Sequence, residues 1–265
     1  MNTNQKIGLY IIGDEILNGH RQDKHLSKVI EILAQHQLKL SWAYYLPDDM
    51  ETLVSHFKRS FASQDIVFSC GGIGSTPDDK TRQAAAQALN LPLEGHPEAI
   101  QLITERIEYM AKQGKASPNL DAQDNYHRLQ MGYFPKGSDI IPNAFNRIPG
   151  FYIRHHSFVP GFPEMAWDMI QWTLTHRYPH LARSTSCTFR LDCYEIPESN
   201  LTTMLMDIEQ KWPSIRTSSL PSEVKKDQPY HTELSVTGPQ DVALEAFTFM
   251  KDTLEKMGAR FIVLT

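Results

Sequence analysis

The sequence predicts an α/β protein: a doubly wound, mostly parallel sheet, followed by a second, small α+β domain. Three observations predict it. Apolar runs of strand length alternate with amphipathic helical stretches over the first two thirds of the chain. One such run, Ile66-Val67-Phe68, is apolar on both faces, as a buried parallel strand requires, and leads into Gly71, Gly72 and Gly74 and then a helix-forming stretch. Beyond a polar, breaker-rich segment from Thr175 to Ser186 the pattern changes to half-exposed strands, and none of the earlier motifs recurs. These boundaries give domains at 1–178 and 186–265.

In chain order, Ile7 to Ile12 reads as the first strand, ending at Gly13-Asp14-Glu15. Leu26, Val29, Ile30 and Leu33 form one helical face. Leu38 to Leu46 is the second strand; Pro47 ends it, and Asp48 can cap a helix striped by Met50, Leu53, Val54, Phe57 and Phe61. Asp65 to Cys70 is the third strand. Ser75, Thr76 and Asp78 offer capping oxygens before a helix at Gln83 to Leu89. Gly95 to Gln130 is helical with a break at Gly114 to Pro118, Ser138 to Asn143 is a short strand, and Arg147 to Phe151 introduces another. Phe158 to Met165 closes the unit before a helix. In the second domain Phe189, Leu191 and Cys193 mark a strand, Pro197 to Trp212 a helix, and Ser214 to Ser218 a strand. Thr232, Leu234 and Val236 mark the next strand, Ala243, Phe247, Met250 and Leu254 line a helix, and Phe261 to Leu264 ends the order βαββαβ, which suits a ferredoxin-like sandwich.

Composition narrows the function classes. With 265 residues, 41% apolar, 22% charged and a net charge of −5, the chain has no general basic field for nucleic acid or an anionic membrane. No G-x-x-G loop occurs in residues 185–265, so RNA binding is not expected. No apolar run approaches a membrane span, and the start M-N-T-N-Q-K lacks signal-peptide features, so a cytoplasmic location is expected. Cys70, Cys187 and Cys193 lack metal-ligand spacing and read as reduced and structural. His20, His25, His155 and His156 lack the H-x-x-x-H spacing of a zinc pair and read as surface or packing residues.

The chemistry concentrates in D-I-V-F-S-C-G-G-I-G-S-T-P-D-D-K-T-R, Asp65 to Arg82. Glycines at a strand end, followed by a helix start, expose backbone N–H groups that suit phosphate. Asp78 and Asp79 in the same turn would repel that phosphate unless a divalent cation lay between them. Asp14 and Glu15 also lie just past a strand end, so both acidic elements can face one pocket. The plain alternative is a glycine-rich turn with capping aspartates, and an acidic helix cap at Asp14-Glu15. Arg128 can meet a phosphate or form a surface salt bridge, and Glu164, at a first helical turn, reads as structural.

G-G-I-G-S-T-P-D-D-K-T resembles the signature of the molybdopterin-binding, MoaB/MogA-like fold. The adjacent aspartates are similar to the branch headed by the competence/damage-inducible protein CinA and the hydrolase-like domain of eukaryotic FAD synthases. G-D-E-I-L-N-G-H-R-Q-D from Gly13, N-Y-H-R-L-Q-M from Asn125, I-P-G-F from Ile148 and V-P-G-F-P-E-M from Val159 resemble further segments of that family. Lys24 and His25 stand where many relatives have Thr-Asn, and Phe162 replaces a small apolar residue. The resemblance implies a metal-dependent pyrophosphatase of ADP-ribose or FAD-like dinucleotides, using a divalent ion (magnesium, manganese or cobalt) and potassium. It implies catalytic roles for Asp79, Asp14 and Glu15, metal binding by Asp78 and Asp79, and phosphate or nucleotide binding by Gly71, Gly72, Gly74, Ser75, Thr76, Thr81 and Asn143. It further implies a homodimer, a small-molecule nucleotide or pterin phosphate as partner, a KH-like second domain, and the short form without the C-terminal amidohydrolase domain. Molybdopterin binding or adenylylation is the alternative, weakened because Asp78-Asp79 stands where that branch has Arg-Asp. A non-catalytic nucleotide-binding module is the third reading.

Overall fold

Strands β1 (Ile7–Ile12) and β3 (Ile66–Cys70) are buried at every position, which explains why neither shows polar alternation in the sequence. They lie at the centre of a computed structural model that describes residues 6–181, 186–222 and 230–264. The chain divides into two units, Met1–Ala182 and Arg183–Thr265.

In the first unit β1 is followed by the short helix α1 (Asp14–Leu17), α2 (His25–Gln35), β2 (Trp42–Leu46) and α3 (Met50–Ser63). After β3 come α4 (Thr81–Leu89), β4 (Leu93–Gly95), α5 (Pro97–Lys112), α6 (Gln123–Gln130) and β5 (Tyr133–Pro135). β6 (Asp139–Ile141), β7 (Gly150–Ile153), β8 (His156–Val159) and α7 (Pro163–Arg177) complete it. The main sheet has the order β2-β1-β3-β8-β7-β6; its first four strands pair in parallel, and β7 and β6 add antiparallel pairs.

Successive strand side chains point to opposite faces, so β1 and β3 feed two cores at once. Leu9, Ile11 and Phe68 pack with Val29 and Leu33 of α2 and Met169 and Ile170 of α7. Tyr10 and Val67 pack on the other face with Leu53 and Phe57 of α3, Ala84 of α4 and Phe158. Phe151 stacks on Phe158 with ring centroids 4.4 Å apart, and Phe134 on Phe151 at 4.9 Å. Each such fully buried side chain contributes about 1.5–3 kcal/mol. This two-sided packing fixes where β1, β2 and β3 end, and the loops after Ile12, Leu46 and Cys70 share the carboxyl edge of the sheet.

The second unit contains β9 (Ser186–Tyr194), α8 (Glu198–Lys211), β10 (Arg216–Pro221), β11 (His231–Pro239), α9 (Gln240–Lys256) and β12 (Arg260–Leu264). Its antiparallel sheet runs β10-β11-β9-β12, the strand order of the expected ferredoxin-like sandwich. Leu201, Leu205 and Trp212 belong to this unit's own core, with Leu191, Leu234 and Phe247.

Several boundaries differ from expectation. β2 begins at Trp42, not Leu38, because Leu38 N–H closes a turn onto Leu33 O rather than joining the sheet. α7 continues through Arg177 into the expected linker, whose residues 182–185 lie outside the described residues, as do residues 1–5. The three-residue pair β4–β5 was too short to show a period. The cap expected of Asp48 belongs to Asp49, whose carboxylate accepts the Thr52 N–H at 2.8 Å. Among the described residues no helix is long and apolar enough to cross a membrane.

Candidate functional site

The glycine loop is held from inside. Gly71 and Gly72 have φ of +112° and +69°, values that other residues adopt only under strain. A Cβ at Gly72 would also stand 2.2 Å from Thr81 Oγ1. Thr81 is fully buried, and its hydroxyl donates to Gly71 O (3.0 Å) while its N–H donates to Gly72 O (3.0 Å). Gly74 is clamped on both sides. Its N–H donates to Asp79 Oδ1 (2.8 Å), and its carbonyl accepts from Arg82 Nη2 (2.6 Å). Arg82 Nη1 donates to Gln130 O (2.6 Å), tying the loop to the end of α6. Burial pulls the Arg82 pKa down to about 10 against the opposing charge of Asp79, so the guanidinium stays charged at neutral pH.

Asp79 Oδ2 also accepts from Thr76 N (2.9 Å) and Thr76 Oγ1 (2.5 Å). Its carboxylate thus serves as the loop's own anion. Gly71 N–H pairs with Val159 O, and the N–H groups of Gly74 and Thr76 pair with Asp79, so these three are already satisfied within the fold. It also explains the helix start: α4 begins at Thr81 with Lys80 as N-cap and no side-chain cap, because Asp79 faces back into the loop. Ser75, Thr76 and Asp78 are exposed. The Asp78 carboxyl is held below the usual range, chiefly by the polar side chain of Thr76 beside it and by its own backbone N–H.

The acidic centre lies one strand away. Asp14 N–H donates to Asp48 Oδ2 (3.0 Å), and Asp48 N–H donates to Asp14 Oδ1 (3.3 Å). Burial raises the Asp48 pKa above its ordinary value, and the negative charges of Asp14, Glu15 and Asp78 raise it further. Four carboxyl groups therefore share one electrostatic neighbourhood at the carboxyl edge of the sheet. Lys80 Nζ donates to Asp48 O (2.9 Å), joining this centre to the glycine loop. Sequence reasoning missed Asp48 as a site residue. The available signal was its position past the end of the second parallel strand, where such sheets bind ligands.

What this centre offers a divalent cation is the carboxylate pair of Asp14 and Asp48. Carboxylate oxygens are the hard donors such ions take, and the negative charges of Asp14, Glu15 and Asp78, which add to burial in raising Asp48, are what a cation would offset. Among the described residues no three His, Cys, Asp or Glu side chains form a metal-holding group.

Other expected residues lie in the framework. Asn143, 5% exposed, donates through Nδ2 to Asn146 Oδ1 (2.9 Å) and Ile148 O (3.0 Å) and accepts the Phe145 N–H (3.0 Å), so its side-chain amide is engaged in shaping a turn. Arg128 Nη1 donates to Asn125 Oδ1 (2.9 Å), and buried Asn125 holds the Ser117 and Asn119 carbonyls. A cavity of about 240 Å³ opens beside the ends of β1 and β3, with Ile11, Ile12, Cys70 and Phe162 in its wall and Glu15 and Glu164 among its polar groups.

The family model described as a probable molybdopterin binding domain matches residues 8–180. A CinA-like protein of Desulforapulum autotrophicum is 29% identical over 222 residues, 80% of this chain and 50% of that protein. A CinA-like protein of Anaeromyxobacter sp. is 28% identical over 201 residues, 74% of this chain and 46% of that protein. The chain spans about half the length of these curated relatives. The crystal structure of the protein CinA from Thermoplasma acidophilum, described as of unknown function, shares the fold with a TM-score of 0.54 at 20% identity, covering 64% of this chain and 98% of that one. With the family model spanning the parallel sheet, the glycine loop and the acidic centre, the chain belongs to the probable molybdopterin binding domain family, with CinA-like proteins among its relatives.

Proposed function

We propose that the chain is a divalent-metal-dependent pyrophosphatase of dinucleotides such as ADP-ribose or FAD. The observation that carries this reading is the reciprocal Asp14–Asp48 pair, with Glu15 and Asp78 close by, at the sheet edge that also carries the glycine loop. A cation held by Asp14 and Asp48 would polarise a phosphoryl oxygen of the substrate. The chain's own part is positioning. Asp79 and Arg82 fix Gly74, so the loop meets the substrate without reorganising. In the hydrolysis a water oxygen bonds to one phosphorus, the bridging P–O bond breaks, and two monophosphates leave. Glu15, exposed and outside the Asp14–Asp48 pair, is the group we assign to take the water proton.

A second reading, binding or adenylylation of molybdopterin, is favoured by the family match over residues 8–180. Release of AMP from ADP-ribose and FAD, with magnesium, manganese or cobalt plus potassium, separates the two. Turnover by the wild type that is lost in Asp48→Asn supports the hydrolase. Tight molybdopterin binding without turnover moves the chain to the second reading.

A further inference from the structure

We infer that the cavity between α3 and the outer edge of β2 is a second ligand site, built for an aromatic ring joined to a phosphate, as in a nucleoside monophosphate. It stands apart from the proposed hydrolytic centre: none of its lining residues belongs to the acidic centre or to the glycine loop.

The wall of the cavity is aromatic. β2 is the last strand of the main sheet, so among the described residues no further strand lies beyond Trp42 and Tyr44. The Trp42 indole rests on bare backbone: a Cβ at Gly8 would stand 2.0 Å from Trp42 Cζ2. A glycine inside a central strand gives up packing of its own and marks such a close approach. Trp42 Nε1 donates to Asp65 Oδ2 (2.9 Å), which fixes the ring. From there the rings continue in series, Tyr10 to Trp42 at 5.1 Å, Trp42 to Tyr44 at 5.6 Å and Tyr44 to His56 at 5.1 Å between centroids. Trp42, Tyr44 and His56 are each only half-buried, so the wall keeps ring surface for a ligand.

The charge of the lining is positive. Lys6 and Arg59 both line the cavity and both are exposed. Among the described residues neither side chain enters a hydrogen bond or an ion pair. The Arg59 charge reaches the aromatic wall. Burial lowers the His56 pKa and Arg59 lowers it further, so that ring is neutral, and the same charge opposes the burial that raises Tyr10. Among the described lining residues, two cations stand against the single carboxylate of Asp65. That balance favours an anion, and a guanidinium together with an ammonium suits the doubly charged phosphate group. The cavity encloses about 510 Å³, within the roughly 300–1,000 Å³ of small-molecule sites, which leaves room for a ring and a sugar beside the phosphate. Stacking on aromatic side chains tolerates any base, because every base has a π-face, so the site reads ring plus phosphate.

Calorimetry in a chelator, which strips any divalent ion from the acidic centre, tests this. Wild type, Arg59→Ala and Tyr44→Ala, each checked for folding by circular dichroism, are titrated with AMP, GMP, CMP and UMP. Adenosine, which lacks the phosphate, and ribose 5-phosphate, which lacks the ring, are titrated beside them. Wild type should bind at least one of the four nucleotides about tenfold more tightly than adenosine or ribose 5-phosphate. Arg59→Ala should lose about tenfold in that affinity and Tyr44→Ala several-fold; should Tyr44→Ala fail to fold, Arg59→Ala, at an exposed position, decides. No binding of any nucleotide, or binding no tighter than that of ribose 5-phosphate, overturns the site. Wild-type affinity kept in Arg59→Ala places the nucleotide elsewhere and overturns it too. A wild-type dimer in light scattering that Arg59→Ala dissociates would make this face an interface between copies, which also overturns it.

Discussion

Asp14 and Asp48, 34 residues apart in sequence, exchange hydrogen bonds, each backbone N–H donating to the other's carboxylate. The exchange fixes two like charges side by side, which is unfavourable unless a cation or a proton joins them. The Asp48 pKa is raised in the fold, so its protonated form stabilises the native state, and that stability is lost as pH rises through the folded value. Asp48→Asn should therefore raise the melting temperature at neutral pH without divalent ions, and the wild-type gain on adding magnesium or manganese should disappear. Differential scanning fluorimetry with and without the ion checks both; a variant that still gains as much as wild type removes Asp48 from the cation site.

The buried Arg82 guanidinium should prove a strong structural element. Truncation to Ala leaves the Gly74 and Gln130 carbonyls without their donor, and each partly buried orphan costs about 1–3 kcal/mol. Urea unfolding of Arg82→Ala should show a loss of about 3 kcal/mol, and Arg82→Lys, which cannot span both carbonyls with a fixed fork, should recover little of it. A loss below about 1 kcal/mol would mean that the loop is held by other contacts.

Gly74 and Asp79 should behave as one unit. A Cβ at Gly74 would stand 2.6 Å from Asp79 Oδ2. Gly74→Ala and Asp79→Ala should each destabilise, by about 1–3 kcal/mol, and the double variant should fall short of the sum by about 1 kcal/mol or more, since Asp79→Ala removes the atoms the new methyl strikes. Strict additivity in a double-mutant cycle would contradict the clamp.

Much of this architecture was legible because it follows from local pattern. Ile66-Val67-Phe68 announced a strand buried on both faces, the glycines after it announced a turn at the sheet's carboxyl edge, and the βαββαβ order announced the second unit's topology. The site was less legible because its decisive contacts are distant. Asp48 read as a cap, since nothing near it in sequence reveals Asp14. Thr81 and Asp79 read as ligands because a motif does not say whether a side chain faces the substrate or its own loop.

A pH-linked loss of stability should be traceable to His156. The residue is fully buried; its Nδ1 lies 3.0 Å from Arg154 O, and its Nε2 lies 2.8 Å from Ser60 Oγ. Burial lowers its pKa to about 4. Between that value and the unfolded value of about 6.5 the unfolded chain binds more protons, so stability falls as pH falls, by about 3 kcal/mol across the window. Denaturation curves from pH 7 to pH 4 should show this slope in wild type and a shallower one in His156→Gln. Equal slopes would place the acid sensitivity elsewhere.

The most direct test of the central claim is AMP release from ADP-ribose and FAD, measured with magnesium or manganese plus potassium for wild type, Asp14→Asn and Asp48→Asn. The account predicts metal-dependent turnover in wild type, reduced about a hundredfold or more in each variant while the fold is kept. Turnover that survives both substitutions, or that proceeds unchanged in a chelator, would contradict it.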